Sequence, residues 1–163
     1  MFTVKRILVP IDYTDVSRMA LSAAIQFADL HDAHMVVLHV QEGLSKELHK
    51  RLVTAPNESV IEKGIAADER ALMEAIELEF QRAETAGFHF ESRGVTAHIS
   101  GGDWFEVAMQ IIEDEKIDLV FSGTHGPKGI KGMLLGSVTE KLVAKAPCSV
   151  FVVKPQGYPY LRD

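Results

Sequence analysis

Ile117-Asp118-Leu119-Val120-Phe121-Ser122-Gly123-Thr124-His125-Gly126 is followed, after nine further residues, by Gly136-Ser137. The first six residues are largely apolar and read as a short buried strand. Val138 to Lys145 reads as a helix that stops before Pro147. The order is therefore strand, glycine-rich loop, helix N-terminus. Glycines allow close backbone approach to a ligand. A helix N-terminus leaves four N–H groups without internal acceptors and carries a partial positive charge, so an anion there gains from both. The stretch is not a Walker loop, because no Gly-Lys-Ser/Thr closes it. Nor is it a dinucleotide fingerprint, because the spacing differs and it lies late in the chain. A plain connecting loop would use glycines too, and Ser137 with Glu140 matches a capping box that would close the helix start without any ligand.

Outward from this stretch, strand and helix patterns alternate. Lys5-Arg6-Ile7-Leu8-Val9 reads as a first strand, stopped by Pro10. Ile11-Asp12-Tyr13-Thr14 is a loop, and Thr14 or Asp15 can cap the next helix. That helix shows Val16, Met19, Ala20, Ala23, Ala24, Phe27 and Leu30 at three- and four-residue spacing. His34 to Val40 is a second strand, nearly continuously apolar and so predicted to be buried on both faces. From Gln41 to Asn57 the pattern weakens. Leu44, Leu48 and Leu52 hint at a helix, but Gly43 and Pro56 bracket them, and a long mobile crossover is expected. Ser59 with Glu62 offers a capping box. A long helix through Ile61, Ile65, Leu72, Met73, Ile76 and Phe80 should end near Gly87. Val95, Ala97 and Ile99 alternate with Thr96 and His98, which predicts a third strand with one exposed face at the sheet edge. Asp103 with Glu106 opens a helix containing Trp104, Phe105, Val107, Ala108, Ile111 and Ile112. Ser149 to Val153 is the fifth strand.

The sum predicts an α/β fold: a single-domain, doubly wound, five-stranded parallel sheet of order 3-2-1-4-5, with helices on both faces. The domain is expected over 1–155, with a tail over 156–163. Ligands in such sheets bind beyond the strands' carboxyl ends, where the order reverses. In this order the reversal lies between strands one and four, whose ends carry Asp12 and Gly123.

Composition narrows the partners. The net charge of −6, with Lys and Arg scattered, argues against nucleic acid. The single cysteine, Cys148, permits no internal disulfide and fits a reducing, cytoplasmic setting; its place before an apolar strand reads as a small core residue. No signal-peptide pattern and no window of 18 apolar residues is visible, so no membrane partner is expected.

With these residues in view, the chain resembles the universal stress protein family. Gly123, Gly126, Gly136 and Ser137 match that family's ATP-binding signature, Gly-x2-Gly-x9-Gly-Ser/Thr, with intact spacing. Val9-Pro10-Ile11-Asp12, Leu38-His39-Val40 and Leu134-Leu135-Gly136-Ser137-Val138-Thr139 look like its first-strand end, second-strand end and helix start. The resemblance implies a Rossmann-like fold of the adenine-nucleotide α-hydrolase kind and the ATP-binding branch of the family. By the same resemblance, Pro10, Ile11 and Asp12 would lie against the nucleoside, and the backbone of Val40 would meet the adenine edge. Gly123 and Gly126 would let the chain pass close to ribose and phosphates. Gly136, Ser137, Val138 and Thr139 would offer amides and hydroxyls to the phosphate chain, with Mg²⁺ bridging its oxygens. Pro127 departs from the pattern by removing one amide donor.

The residues alone leave the chemistry open. Asp12 could instead cap the following helix. His31, His34 and His39 lack metal-ligand spacing, and no metal site is expected. No catalytic constellation stands out: Asp12, His125 and Lys131 are the only groups that could assist at a γ-phosphate, and they make slow hydrolysis the most to be expected. A nucleotide-dependent stress-response module, with ATP, ADP or AMP as its ligand, thus stands beside a slow ATPase or nucleotide-handling enzyme. A phospho-receiver would need an aspartate where this chain has Ile99-Ser100-Gly101. The apolar last strand, Val150-Phe151-Val152-Val153, invites pairing with a second copy, and the resemblance implies a homodimer through it.

Overall fold

β1 (Arg6–Pro10), β2 (His34–Gln41), β4 (Val95–Gly101), β5 (Leu119–Gly123) and β6 (Ser149–Val153) are parallel, and β3 (His49–Thr54) joins them antiparallel. Between them run α1 (Asp15–His31), α2 (Ala67–Thr85), α3 (Trp104–Asp114) and α4 (Ser137–Lys145). The computed structural model describes residues 3–41, 49–54, 67–87, 94–124 and 136–155. The sheet order is β3-β4-β2-β1-β5-β6. Its five parallel strands, counted along the chain, therefore stand in the order 3-2-1-4-5 that the alternation predicts.

Strand alternation sorts the core into two layers. Ile7, Val9, Met35, Val37, Ala97 and Phe121 pack against Leu21, Ala24 and Ile25 of α1 and Leu72 and Ile76 of α2. Leu8, Val36, Leu38 and Val120 face Val107, Ala108 and Ile111 of α3 and Leu142 of α4. Each fully buried aliphatic side chain contributes on the order of 1.5–3 kcal/mol. Because both faces are covered, β1 and β2 carry the unbroken apolar runs seen in the sequence.

Three expectations need correction. The segment after β2 is not all irregular crossover: His49–Thr54 forms an edge strand against β4, from His49↔Ser100 to Thr54↔Val95. That strand moves β4 inside the sheet, so β4 is neither the edge nor exposed on one face. Thr96, His98 and Ser100 are buried at 1%, 2% and 3% exposure. Buried polar groups persist where they are partnered: Thr96 Oγ1 lies 2.9 Å from His34 Nε2, and His98 Nε2 lies 3.3 Å from Glu115, which also pairs with Arg6. Third, α1 is rotated from the face its spacing suggests. Leu21, Ile25 and Ala28 face the core, whereas Leu30 is 74% exposed. Leu30 follows Ala28 by two residues, roughly 200° around the helix.

Helix ends follow local chemistry. Thr14 caps α1, its Oγ1 accepting from Ser17 N–H. Asp103 caps α3, its Oδ1 accepting from Phe105 and Glu106 N–H at 2.9 and 3.0 Å. Gly87, just past α2, has φ +89°, the left-handed turn expected of a glycine stop. The earlier part of the expected long helix, with Ser59, Ile61, Glu62 and Ile65, lies outside the described residues.

Candidate functional site

β1 is flanked by β2 on one side and β5 on the other, so the strand order reverses there, and in such sheets the ligand crevice lies beyond the carboxyl ends at that point. Its first wall is the end of β1. Pro10 pairs with Leu38, and Ile11, fully buried, donates its N–H to the Leu38 carbonyl at 2.8 Å. Asp12 then turns its carboxylate into its own loop: Oδ1 accepts from Thr14 N–H at 3.1 Å and from Thr14 Oγ1–H at 2.6 Å. Thr14 is the cap of α1, so Asp12 supports that cap and is in part the loop-holding residue that the sequence left as its other reading. Tyr13 follows at φ +64°, a conformation L-residues seldom adopt.

The second wall is β2. Successive residues of a strand turn their backbone groups to opposite sides. The Leu38 carbonyl points at β1, where Ile11 takes it, so the groups of Val40 point the same way two residues further on. The β1 ladder has ended by then, at Pro10. Val40 therefore presents a backbone N–H and C=O to the crevice beside β1. Next to it, the His39 Nδ1 lies 2.8 Å from the Ile11 carbonyl. A carbonyl only accepts, so Nδ1 carries the proton. The His39 ring meets Tyr13 at 4.6 Å and Trp104 edge-on at 6.0 Å. Sequence reading missed this aromatic group, because its members lie on a loop, a strand and a helix start that only the fold brings together.

The third wall is β5 and α4. A Cβ built on Gly123 would lie 2.8 Å from Val16 Cγ1 and 3.2 Å from the Val16 backbone. The glycine is thus required by the close approach of α1. Thr124 continues the β5–β6 pairing, its N–H donating to Val153 O at 3.1 Å, and its carbonyl accepts the Gly136 N–H. Gly136 is the N-cap of α4 and Ser137 its first residue. The capping box expected of Ser137 with Glu140 is not made: the cap lies one residue earlier, and no side chain bonds it. Glu140 N–H closes the first turn onto Gly136 O, which leaves the N–H groups of Ser137, Val138 and Thr139 without an intrahelical acceptor. The Thr139 hydroxyl is taken: it donates to the Gly123 carbonyl at 2.7 Å and lies 2.9 Å from Ser122 Oγ. Gly126, His125 and Lys131 lie outside the described residues. Among the described residues, no group of three His, Cys, Asp or Glu could hold a metal ion.

The model of the universal stress protein family matches residues 3–154. The chain belongs to that family. Universal stress protein MJ0577 of Methanocaldococcus jannaschii is 31% identical, the match covering 92% of this chain and 94% of that one. A solved structure of MJ0577 superposes with TM-score 0.65 over 96% of this chain and 99% of that one, at 27% identity. Two more distant structures share the fold. A universal stress protein solved in complex with cAMP has TM-score 0.62 at 18% identity, covering 93% and 98% of the two chains. A family protein from Arabidopsis thaliana with AMP bound has TM-score 0.53 at 18% identity, covering 94% and 93%. The sheet order of this chain is that of the family's Rossmann-like fold.

Proposed function

We propose that this universal stress protein binds an adenine nucleotide in the crevice between β1 and β5 and acts, as a cytoplasmic homodimer, as a nucleotide-dependent regulatory module. The observation that carries the reading is the start of α4, which has no side-chain cap and three amides without intrahelical acceptors at the strand-order reversal. A phosphate group supplies the missing acceptors and meets the helix dipole. The Val40 backbone offers a donor and an acceptor, the pair that an adenine edge matches. Pro10, Ile11 and Asp12 form the wall for the nucleoside. Ser137, Val138 and Thr139 serve through amides, the Thr139 hydroxyl being already committed. Gly123 serves by packing, and Gly126 by the family's spacing. Relatives of the same fold carry cAMP and AMP, which supports an adenine ligand. ATP is the nucleotide we assign, with Mg²⁺ bridging its phosphate oxygens as the family resemblance implies.

Isothermal titration of AMP, ADP and ATP, with and without Mg²⁺, tests the reading. Binding that is lost in Gly136→Val is the expected result. No heat from any nucleotide, and none released from the denatured protein, would overturn it. Sustained phosphate release from ATP by the purified protein would move the assignment to a slow ATPase.

A further inference from the structure

Thr124 is fully buried, and among the described residues its Oγ1 has no hydrogen-bond partner. Its backbone is occupied at both ends, by Val153 O and by Gly136 N–H, so the residue is held firmly while its hydroxyl is not used. A buried hydroxyl without a partner is costly, and such groups are uncommon in native interiors. Its direction follows from the strand. Ser122 sends its Oγ to Thr139 of α4, and a side chain on Gly123 would run into Val16 of α1. Alternation then returns Thr124 to the α4 side, where the amides of Ser137, Val138 and Thr139 lack intrahelical acceptors. A lone donor and an uncapped helix start thus lie side by side.

We infer that the Thr124 hydroxyl donates to a phosphate oxygen of the ligand at the α4 N-terminus. This inference rests on the nucleotide reading above and adds to it a residue outside the glycine positions. The hydroxyl is buried away from water. What it gains is a hydrogen bond where none is made. A phosphate oxygen at this position would offset the cost of burying the hydroxyl unpaired.

The test is Thr124→Val, a near-isostere without the hydroxyl, with Thr124→Ser as the conservative partner. AMP and adenosine are titrated into each variant and the wild type, and thermal unfolding is recorded without ligand. Affinity of Thr124→Val for AMP should fall roughly ten- to a hundredfold, the loss of one hydrogen bond to a charged group. Adenosine affinity should be unchanged, Thr124→Ser should keep AMP binding, and ligand-free Thr124→Val should melt at or above the wild-type temperature. Wild-type binding of AMP with an equal affinity in Thr124→Val overturns this inference alone. So does a lower melting temperature in ligand-free Thr124→Val, which would mean the hydroxyl already has a protein partner. Failure of the wild type to bind AMP or ATP removes the nucleotide reading and this inference with it.

Discussion

Gly123 has no room for a side chain. Its missing Cβ would fall within 2.8 Å of Val16 Cγ1 and 3.2 Å of the Val16 backbone, and backbone cannot step aside as a flexible side chain could. Gly123→Ala should therefore cost about 1–3 kcal/mol of stability in urea unfolding, with no ligand present. An unchanged midpoint with weakened nucleotide binding would show that ligand approach, not helix packing, requires the glycine. Cys148 makes a second prediction. Burial, and next the charge of Asp118, push its thiol up from the ordinary 9.0. Asp118 is fixed by the N–H groups of Lys5 and Arg6 at 2.8 and 2.9 Å. The raised folded value means that the unfolded chain loses this proton first. The contribution to stability is thus whole below the ordinary thiol range and is lost as pH rises above it. Cys148→Ala should flatten the alkaline fall in unfolding free energy, and the wild-type thiol should react slowly with a disulfide reagent at pH 8. Rapid labelling at that pH would contradict the account.

At the scale of elements, α3 and α4 look alike in sequence and differ in structure. Each start has a short polar residue three before a glutamate, Asp103 with Glu106 and Ser137 with Glu140. Only Asp103 acts as a cap, and Asp103→Ala should cost about 1 kcal/mol in denaturant unfolding. At α4 the Thr124 carbonyl takes the Gly136 N–H, which makes Gly136 the cap and shifts Ser137 into the helix. Gly136→Asp would give α4 the cap it lacks. Its stability without ligand should rise by a few tenths of a kcal/mol, while nucleotide affinity falls, because a carboxylate would occupy the amides and repel phosphate. Calorimetric titration paired with thermal unfolding reads both signs, and a variant with improved affinity would refute the site. β3 was not legible in its polar residues, His49-Lys50-Arg51, because an edge strand is held by backbone groups. The register against β4, not side-chain pattern, decides its place.

At the scale of the molecule, β6 bonds β5 on one side, and among the described residues no strand covers its other side. On the sheet face beside this edge, Phe151 is 49% exposed while stacking on Phe121 at 4.8 Å. An open apolar edge favours pairing with a second copy. For the homodimer proposed above, Val152→Lys should yield a monomer in light scattering, and an unchanged dimer mass would place the interface elsewhere. The sequence by itself determined the parallel core: the continuous apolar runs of β1 and β2, the alternation of elements, and the spacing from Gly123 to Ser137 needed no partner to be read. Hydrophobic period and turn chemistry are local, and local sequence carries them. Only the tertiary structure decided that β4 is interior, that Gly123 answers to Val16, that Asp12 braces Thr14, and that the Thr124 hydroxyl meets no partner among the described residues. Each of these depends on which distant residue comes within a few ångströms, and no local pattern contains that distance.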